Sequence, residues 1–216
     1  RGYGIECDVQ ITRDGEAVVF HDFDLDRLTS QRGRVDENTA AELGKFTLMQ
    51  SSAGNAIYPL AIMLDAVAGR VPIVIEIKSR FDGDLRLTRR VAEILRSYPD
   101  HPICVESFDP RVVTALRMLL PSHPHGIVAM ARYDYPDYAS LSAEEKHAMG
   151  NLLHFGEMQP AFLSWNVRDL PHCGPYLCRT ALGLPISAWT VRTPDDVIRA
   201  STHADQMVFE GFLPES

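Results

Sequence analysis

The run Val71-Pro72-Ile73-Val74-Ile75-Glu76-Ile77-Lys78 is apolar on both faces until its last three residues. A strand of that kind is stable only where both faces are covered, which in practice means the interior of a parallel sheet flanked by helices. The chain repeats the pattern. Leu60 to Gly69 spaces Leu60, Ile62, Met63, Leu64 and Val67 as a helix before this strand, and Leu87 to Tyr98 follows as another, with Val91, Ile94 and Leu95 on one face. Strands are expected at 102–108, 125–130, 161–165, 185–191 and 206–209. Between them lie helix-start signals: Asp109-Pro110, the capping box Ser142-Ala143-Glu144-Glu145 opening a helix to about His154, and Thr193-Pro194-Asp195-Asp196 before Val197–Ala200. This alternation predicts the α/β class and a (β/α)₈ TIM barrel, with seven β/α steps visible and the first β/α unit missing from the sequence. A doubly wound sheet fits less well, because no Gly-rich phosphate loop follows any strand.

A second stretch, Gly4 to Asp22, carries the chemistry. Ile5, Cys7, Val9 and Ile11 alternate with Glu6, Asp8, Gln10 and Thr12, so one face of this strand is apolar and the other polar. Glu6 and Asp8 point the same way ~7 Å apart along the strand, close enough to share a cation. An Asp14-Gly15 turn returns the chain through Ala17-Val18-Val19-Phe20 to His21-Asp22. Glu76 sits near the C-terminal end of its strand, where a barrel keeps its reactive groups. It either pairs with Lys78 on the same strand or completes a carboxylate trio with Glu6 and Asp8. Three carboxylates select a hard cation, Mg²⁺ or Ca²⁺. Lys78 then meets a phosphate, and His21 titrates near neutral pH and suits proton transfer to or from an ester oxygen.

At 216 residues and 45% apolar, the chain is read as one domain, 1–216, with a small polar insertion at about 25–58 that holds a capping box at Thr39 and Glu42. A net charge of −8 argues against nucleic acid and anionic membrane surfaces as partners. Cys7, Cys104, Cys173 and Cys178 form no C-x-x-C pair and read as buried thiols. No transmembrane segment or signal peptide is visible, which points to the cytoplasm. His123-Pro124-His125 reads as an ordinary turn, and Tyr133-Asp134-Tyr135-Pro136 as a solvated loop.

The run from Gly4 to Asp22 closely resembles the glycerophosphodiester phosphodiesterase family, and so do Ile75-Glu76-Ile77-Lys78, Glu106-Ser107-Phe108-Asp109-Pro110 and Ala188-Trp189-Thr190-Val191. The resemblance implies a TIM-barrel hydrolase of lipid and glycerol metabolism that cleaves a small-molecule glycerophosphodiester to sn-glycerol 3-phosphate and an alcohol. It assigns metal binding to Glu6, Asp8 and Glu76, acid/base catalysis to His21, and substrate or phosphate contacts to Lys78, Glu106 and Trp189. The family's His-Arg-Gly motif, expected on the first strand, does not occur in the 216 residues, and Phe209-Glu210-Gly211-Phe212 replaces its usual Thr-Asp-Arg-Pro. The alternative is therefore a catalytically silent member that binds phosphodiesters or a protein partner. A sphingomyelinase-D-like lipid cleavage fits the cysteines poorly. The headgroup alcohol and the choice between monomer and homo-oligomer are left open by the residues.

Overall fold

The computed structural model describes residues 2–49 and 56–214, and the chain divides into two compact units, Arg1–Glu106 with Met118–His123 and Ser107–Arg117 with Pro124–Ser216.

In the first unit, β1 (Ile5–Ile11) forms as its alternation predicts: Cys7 and Val9 are buried, while Glu6 and Asp8 are partly exposed. Gly15, at φ +82°, closes the turn to β2 (Ala17–Val19), which lies antiparallel on β1 with Val9 opposite Val19. The apolar run becomes β3 (Ile73–Ile77), parallel to β1, and β4 (Ile103–Ser107) lies parallel to β3. Both neighbours of β3 are thus parallel strands, as its two-faced burial requires. The register places Asp8 opposite Glu76, and Glu76 opposite Glu106.

Three helices accompany these strands. The Thr39–Glu42 capping box opens the short α1 (Ala40–Leu43); α2 (Leu60–Val67) buries Leu60 and Leu64; α3 (Arg86–Leu95) buries Leu87, Val91, Ile94 and Leu95. The stretch at 25–58, polar in composition, still sends Leu25, Val35, Leu43 and Ile57 into a small core with Val18 and Phe20. Its residues 50–55 lie outside the described residues.

After α4 (Pro110–Leu119), whose N–H at Arg111 is accepted by Asp109 Oδ1 at 2.9 Å, the second unit holds four parallel strands. These are β5 (His125–Ala129), β6 (Phe162–Asn166), β7 (Ile186–Val191) and β8 (Gln206–Phe209), packed around the fully buried Trp165. The strands fall within a residue or two of their expected places. The helices depart more. The expected helix from Ser142 to about His154 is two pieces, α5 (Ala143–Gly150) and α6 (Phe155–Met158), separated by Leu152 at φ +55°. Sequence reading missed α7 (Cys173–Leu182) altogether, because its first turn, Cys173-Gly174-Pro175, looks like a loop. Proline is tolerated there since N–H groups of a first turn need no intrahelical partner, and His172 Nδ1 accepts the Gly174 N–H at 3.2 Å. The last helix, α8 (Pro194–His203), starts from the expected Thr193 capping box.

Gly150 ends α5 where the backbone of Ala131 crosses it: a methyl group added at Gly150 would sit 2.6 Å from the Ala131 carbonyl oxygen. Helix propensity alone would make Gly150→Ala stabilising by up to about 1 kcal/mol, whereas overpacking against rigid backbone costs about 1–3 kcal/mol. The clash is the larger effect, so urea unfolding should show Gly150→Ala to be less stable by about 1–2 kcal/mol; a stabilised variant would mean that the two segments do not meet this closely.

Candidate active site

Strand register builds the site. Glu6 and Asp8 leave the same face of β1, and because Asp8 is paired with Glu76 across the β1–β3 ladder, the third carboxylate arrives on that face too. One ligand oxygen from each of Glu6, Asp8 and Glu76 lies within 4.8 Å of the others. Two oxygens on opposite sides of one Ca²⁺, each at about 2.4 Å, would be as far apart as that. The trio therefore fits a hard cation in both donor chemistry and spread. Among the described residues it is the only cluster of three or more His, Cys, Asp or Glu side chains so arranged.

Lys78, two residues past Glu76, bridges the cluster, with its Nζ 2.7 Å from Asp8 Oδ1 and 2.7 Å from Glu76 Oε1. The two readings left open by the sequence are both present, since the same-strand ion pair and the carboxylate trio coexist. Three formal negative charges against one positive leave −2. Burial pushes the Glu76 carboxyl above the usual range, Asp8 adds to the rise, and Lys78 opposes it. Burial pulls Lys78 down, but Glu76 and Asp8 outweigh it and hold the ammonium above its usual range. Glu106 lies beside Glu76 in register and is 3% exposed.

His21 stands at the end of the β hairpin with its side chain exposed. Its carbonyl accepts a hydrogen bond from Gln10 Nε2 at 2.9 Å, and its Nδ1 lies 2.6 Å from Asp22 Oδ1. Arg27 grips Asp22 with two bonds, Nε to Oδ2 at 2.7 Å and Nη2 to Oδ1 at 2.6 Å. Burial pushes Asp22 up, yet the hydrogen bonds from Arg27 and His21 overcome it and hold its carboxyl low. An ionised carboxylate only accepts, so Nδ1 carries a proton and Nε2 is the atom left to exchange one. His21 is also close enough to act electrostatically on Glu76. Sequence reading missed Arg27, which lies five residues past Asp22 in an aperiodic loop.

The profile of the glycerophosphoryl diester phosphodiesterase family matches residues 2–209. The chain belongs to that family. Among curated relatives, YhdW of Bacillus subtilis is 29% identical over 157 residues, 70% of this chain and 62% of that one. A glycerophosphodiester phosphodiesterase of Caldanaerobacter subterraneus is 26% identical over 147 residues, 65% of this chain and 60% of that one. The chain thus spans about three fifths of the length of these relatives. Among solved structures, an Oleispira antarctica phosphodiesterase in complex with the product sn-glycerol-3-phosphate aligns with a TM-score of 0.76 at 19% identity, covering 96% of this chain and 80% of that one. A Thermotoga maritima glycerophosphodiester phosphodiesterase aligns with a TM-score of 0.68 at 23% identity, covering 94% and 80%. At these identities the likeness establishes the fold, the TIM-barrel type that the strand and helix order led us to expect.

The other residues singled out from the sequence of this family member are placed as follows. Trp189 is on β7 in the second unit, where its ring meets Phe108 edge-on with centroids 5.3 Å apart. His123 is buried and His125 begins β5, and neither belongs to a potential ligand cluster among the described residues. All four cysteines are free; Cys7 and Cys178 are buried as expected, Cys104 is half-buried, and Cys173 is exposed at the start of α7. Tyr133, read as part of a solvated loop, is buried instead, meeting Tyr138 edge-on at 4.9 Å. Among the described residues no helix is long and apolar enough to cross a membrane.

Lys78 is the countercharge on which the cation-free cluster depends. Breaking a buried ion pair by removing one partner typically costs about 3–5 kcal/mol, and Lys78→Met should lose stability on that scale in chelator-treated protein. Glu76 has a raised pKa in the folded state, so its share of the loss is present at high pH and relieved as pH falls through that pKa and the carboxylate takes a proton. Denaturant titrations of wild type and variant across pH should show the gap narrowing toward acid; a constant gap would mean that Lys78 acts through packing alone.

Proposed function

We propose that this chain hydrolyses glycerophosphodiesters to sn-glycerol 3-phosphate and an alcohol, with Mg²⁺ or Ca²⁺ held by Glu6, Asp8 and Glu76 and with His21 as a proton-transfer group. The observation that carries the reading is the juxtaposition of the three carboxylate oxygens within 4.8 Å, two of them on β1, which continues into the hairpin ending at His21, and the third on the neighbouring β3. Family membership and the product named with the Oleispira antarctica structure support it.

A bound cation would supply Lewis-acid stabilisation of the charge that develops on the phosphoryl oxygens. The remaining work falls to this chain's residues. Lys78, kept charged by Glu76 and Asp8, provides an ammonium beside the site for a non-bridging phosphate oxygen. In the reaction a water oxygen attacks phosphorus, the bond from phosphorus to the alcohol oxygen breaks, the water loses a proton and the departing alkoxide gains one. His21 is the group assigned to the second transfer: Asp22, itself clamped by Arg27, holds Nδ1 and so leaves the exchange to Nε2. The resemblance places the complementary proton transfer on the histidine of a His-Arg-Gly run, which the 216 residues do not contain. Glu106 and Trp189 remain proposed substrate contacts.

His21→Ala in the intact protein should fold, bind the cation, and lose roughly a hundredfold or more in kcat on alkyl glycerophosphodiesters, the usual scale for a positioned proton-transfer group. The loss should shrink on a nitrophenyl phosphodiester, whose leaving group needs no proton. Equal loss on both substrates would move His21 to the water side of the reaction. Normal turnover on both would remove it from the mechanism, and no turnover by the wild type on either would favour the silent binding protein.

A further inference from the structure

A second feature opens from the same lysine. Lys78 also lines a cavity of about 130 Å³ in the first unit, bordered by Gln10, Phe23, Ser79, Arg80 and Arg86. At about 30 Å³ per liquid water that is room for roughly four waters, or a group the size of a three-carbon polyol. Gln10 is 4% exposed and holds the His21 carbonyl, so the cavity is bounded by the lysine of the phosphate site on one side and by the support of the proton-transfer histidine on another. We infer that this cavity receives the leaving alcohol of the diester and selects hydroxyl-rich alcohols over quaternary ammonium ones. The inference rests on the phosphodiesterase reading above and gives it a substrate class.

The lining chemistry carries the choice. A quaternary ammonium is recognised by open aromatic faces and by carboxylates without a countercharge. Here the Phe23 face is already covered by the Arg80 guanidinium, 4.2 Å from the ring centroid. Three carboxylates line the cavity: Asp36 is held by both arms of Arg34, Asp84 by Arg86 at 2.8 and 2.7 Å, and Asp82, which accepts the Asp84 N–H at 2.9 Å, lies in the field of Arg86. A cation entering this cavity would meet four positive side chains, Arg34, Lys78, Arg80 and Arg86, against three carboxylates. A hydroxyl-rich group meets donors instead. Arg80 is the least committed of them, because its carboxylate neighbour among the described residues, Asp36, is 4.0 Å away and too far for a hydrogen bond. Stacking on Phe23 holds the guanidinium plane still, so its N–H groups are presented at little entropic cost.

The test compares glycerophosphoglycerol with glycerophosphocholine, as kcat/KM in wild type and Arg80→Gln, and as Kd by calorimetry in the His21→Ala protein with and without Arg80→Gln. The wild type should favour the glycerol diester about tenfold or more, the scale of one charge-assisted hydrogen bond. Arg80→Gln should shrink or invert that ratio, because it removes the donors and uncovers the Phe23 face, and the calorimetric ratio should move in parallel. Wild-type preference for the choline diester, or no preference, would overturn the inference while leaving the hydrolase reading standing. Equal weakening of both substrates by Arg80→Gln would also overturn it, by assigning the cavity to the glycerol half that they share. If the wild type hydrolyses neither, the hydrolase reading fails and the Kd ratios decide: an Arg80-dependent preference for the glycerol diester supports the cavity, and its absence overturns it. Should Arg80→Gln fail to fold, Arg80→Lys, which keeps the charge and loses the planar fork, carries the same comparison.

Discussion

The parallel register between β1 and β3 is the constraint from which the site follows. Pairing Asp8 with Glu76 sets like charges opposite each other on one rung of the ladder, with Glu6 two residues back on the same face. Opposed or diagonal carboxylates are destabilising in any sheet, and Glu76 is only 8% exposed. At an effective dielectric of about 20, two such charges within 4.8 Å repel by roughly 3–4 kcal/mol. At the same dielectric the two 2.7 Å contacts of Lys78 attract by about 6 kcal/mol each, enough to offset the three repulsions, but they leave a formal charge of −2. A divalent cation is the species whose charge, size and ligand preference match that remainder.

The cost of this arrangement explains features that look incidental one at a time. β3 is otherwise entirely apolar and lies between two parallel partners, which fixes its register firmly enough to hold the carboxylates together. Lys78 follows at the strand end, where its stem is buried and its ammonium reaches back to both Asp8 and Glu76. The β1–β2 hairpin is tied down by Phe20 N–H donating to Asp8 O at 3.0 Å and by Gln10 donating to the His21 carbonyl. His21 is thereby anchored by its backbone, while its ring is oriented separately through Asp22 and Arg27. Rigid strands hold the carboxylates, and a polar chain of side chains aims the histidine.

Much of this was legible in the residues because it obeys local periodicity. Alternation over Ile5–Ile11 gave the face on which Glu6 and Asp8 lie; the two-sided apolar run at β3 implied parallel neighbours; the capping boxes at Thr39, Ser142 and Thr193 each open a helix. What escaped depends on tertiary placement. A backbone segment 19 residues earlier in the chain crosses close to Gly150 at the end of α5, and no pattern within the helix announces it. The first turn of α7 carries Gly and Pro, residues that read as a loop unless the His172 cap is seen to satisfy an N–H. Arg27 and Arg80 matter through contacts with Asp22 and Phe23 in aperiodic segments, where spacing holds no information. Tyr133 escaped for the same reason, since its partners come from other elements.

The central claim, that strand register assembles Glu6, Asp8 and Glu76 into one cation site, is tested most directly by anomalous diffraction from crystals grown with Mn²⁺, which shares the oxygen-rich ligand preference of Mg²⁺. The account predicts a single dominant peak bounded by oxygens of all three carboxylates at about 2.0–2.6 Å, with its height much reduced in Glu76→Gln crystals. A map with no peak there and Lys78 still bridging Asp8 and Glu76, or with the dominant peak on other side chains, would contradict it.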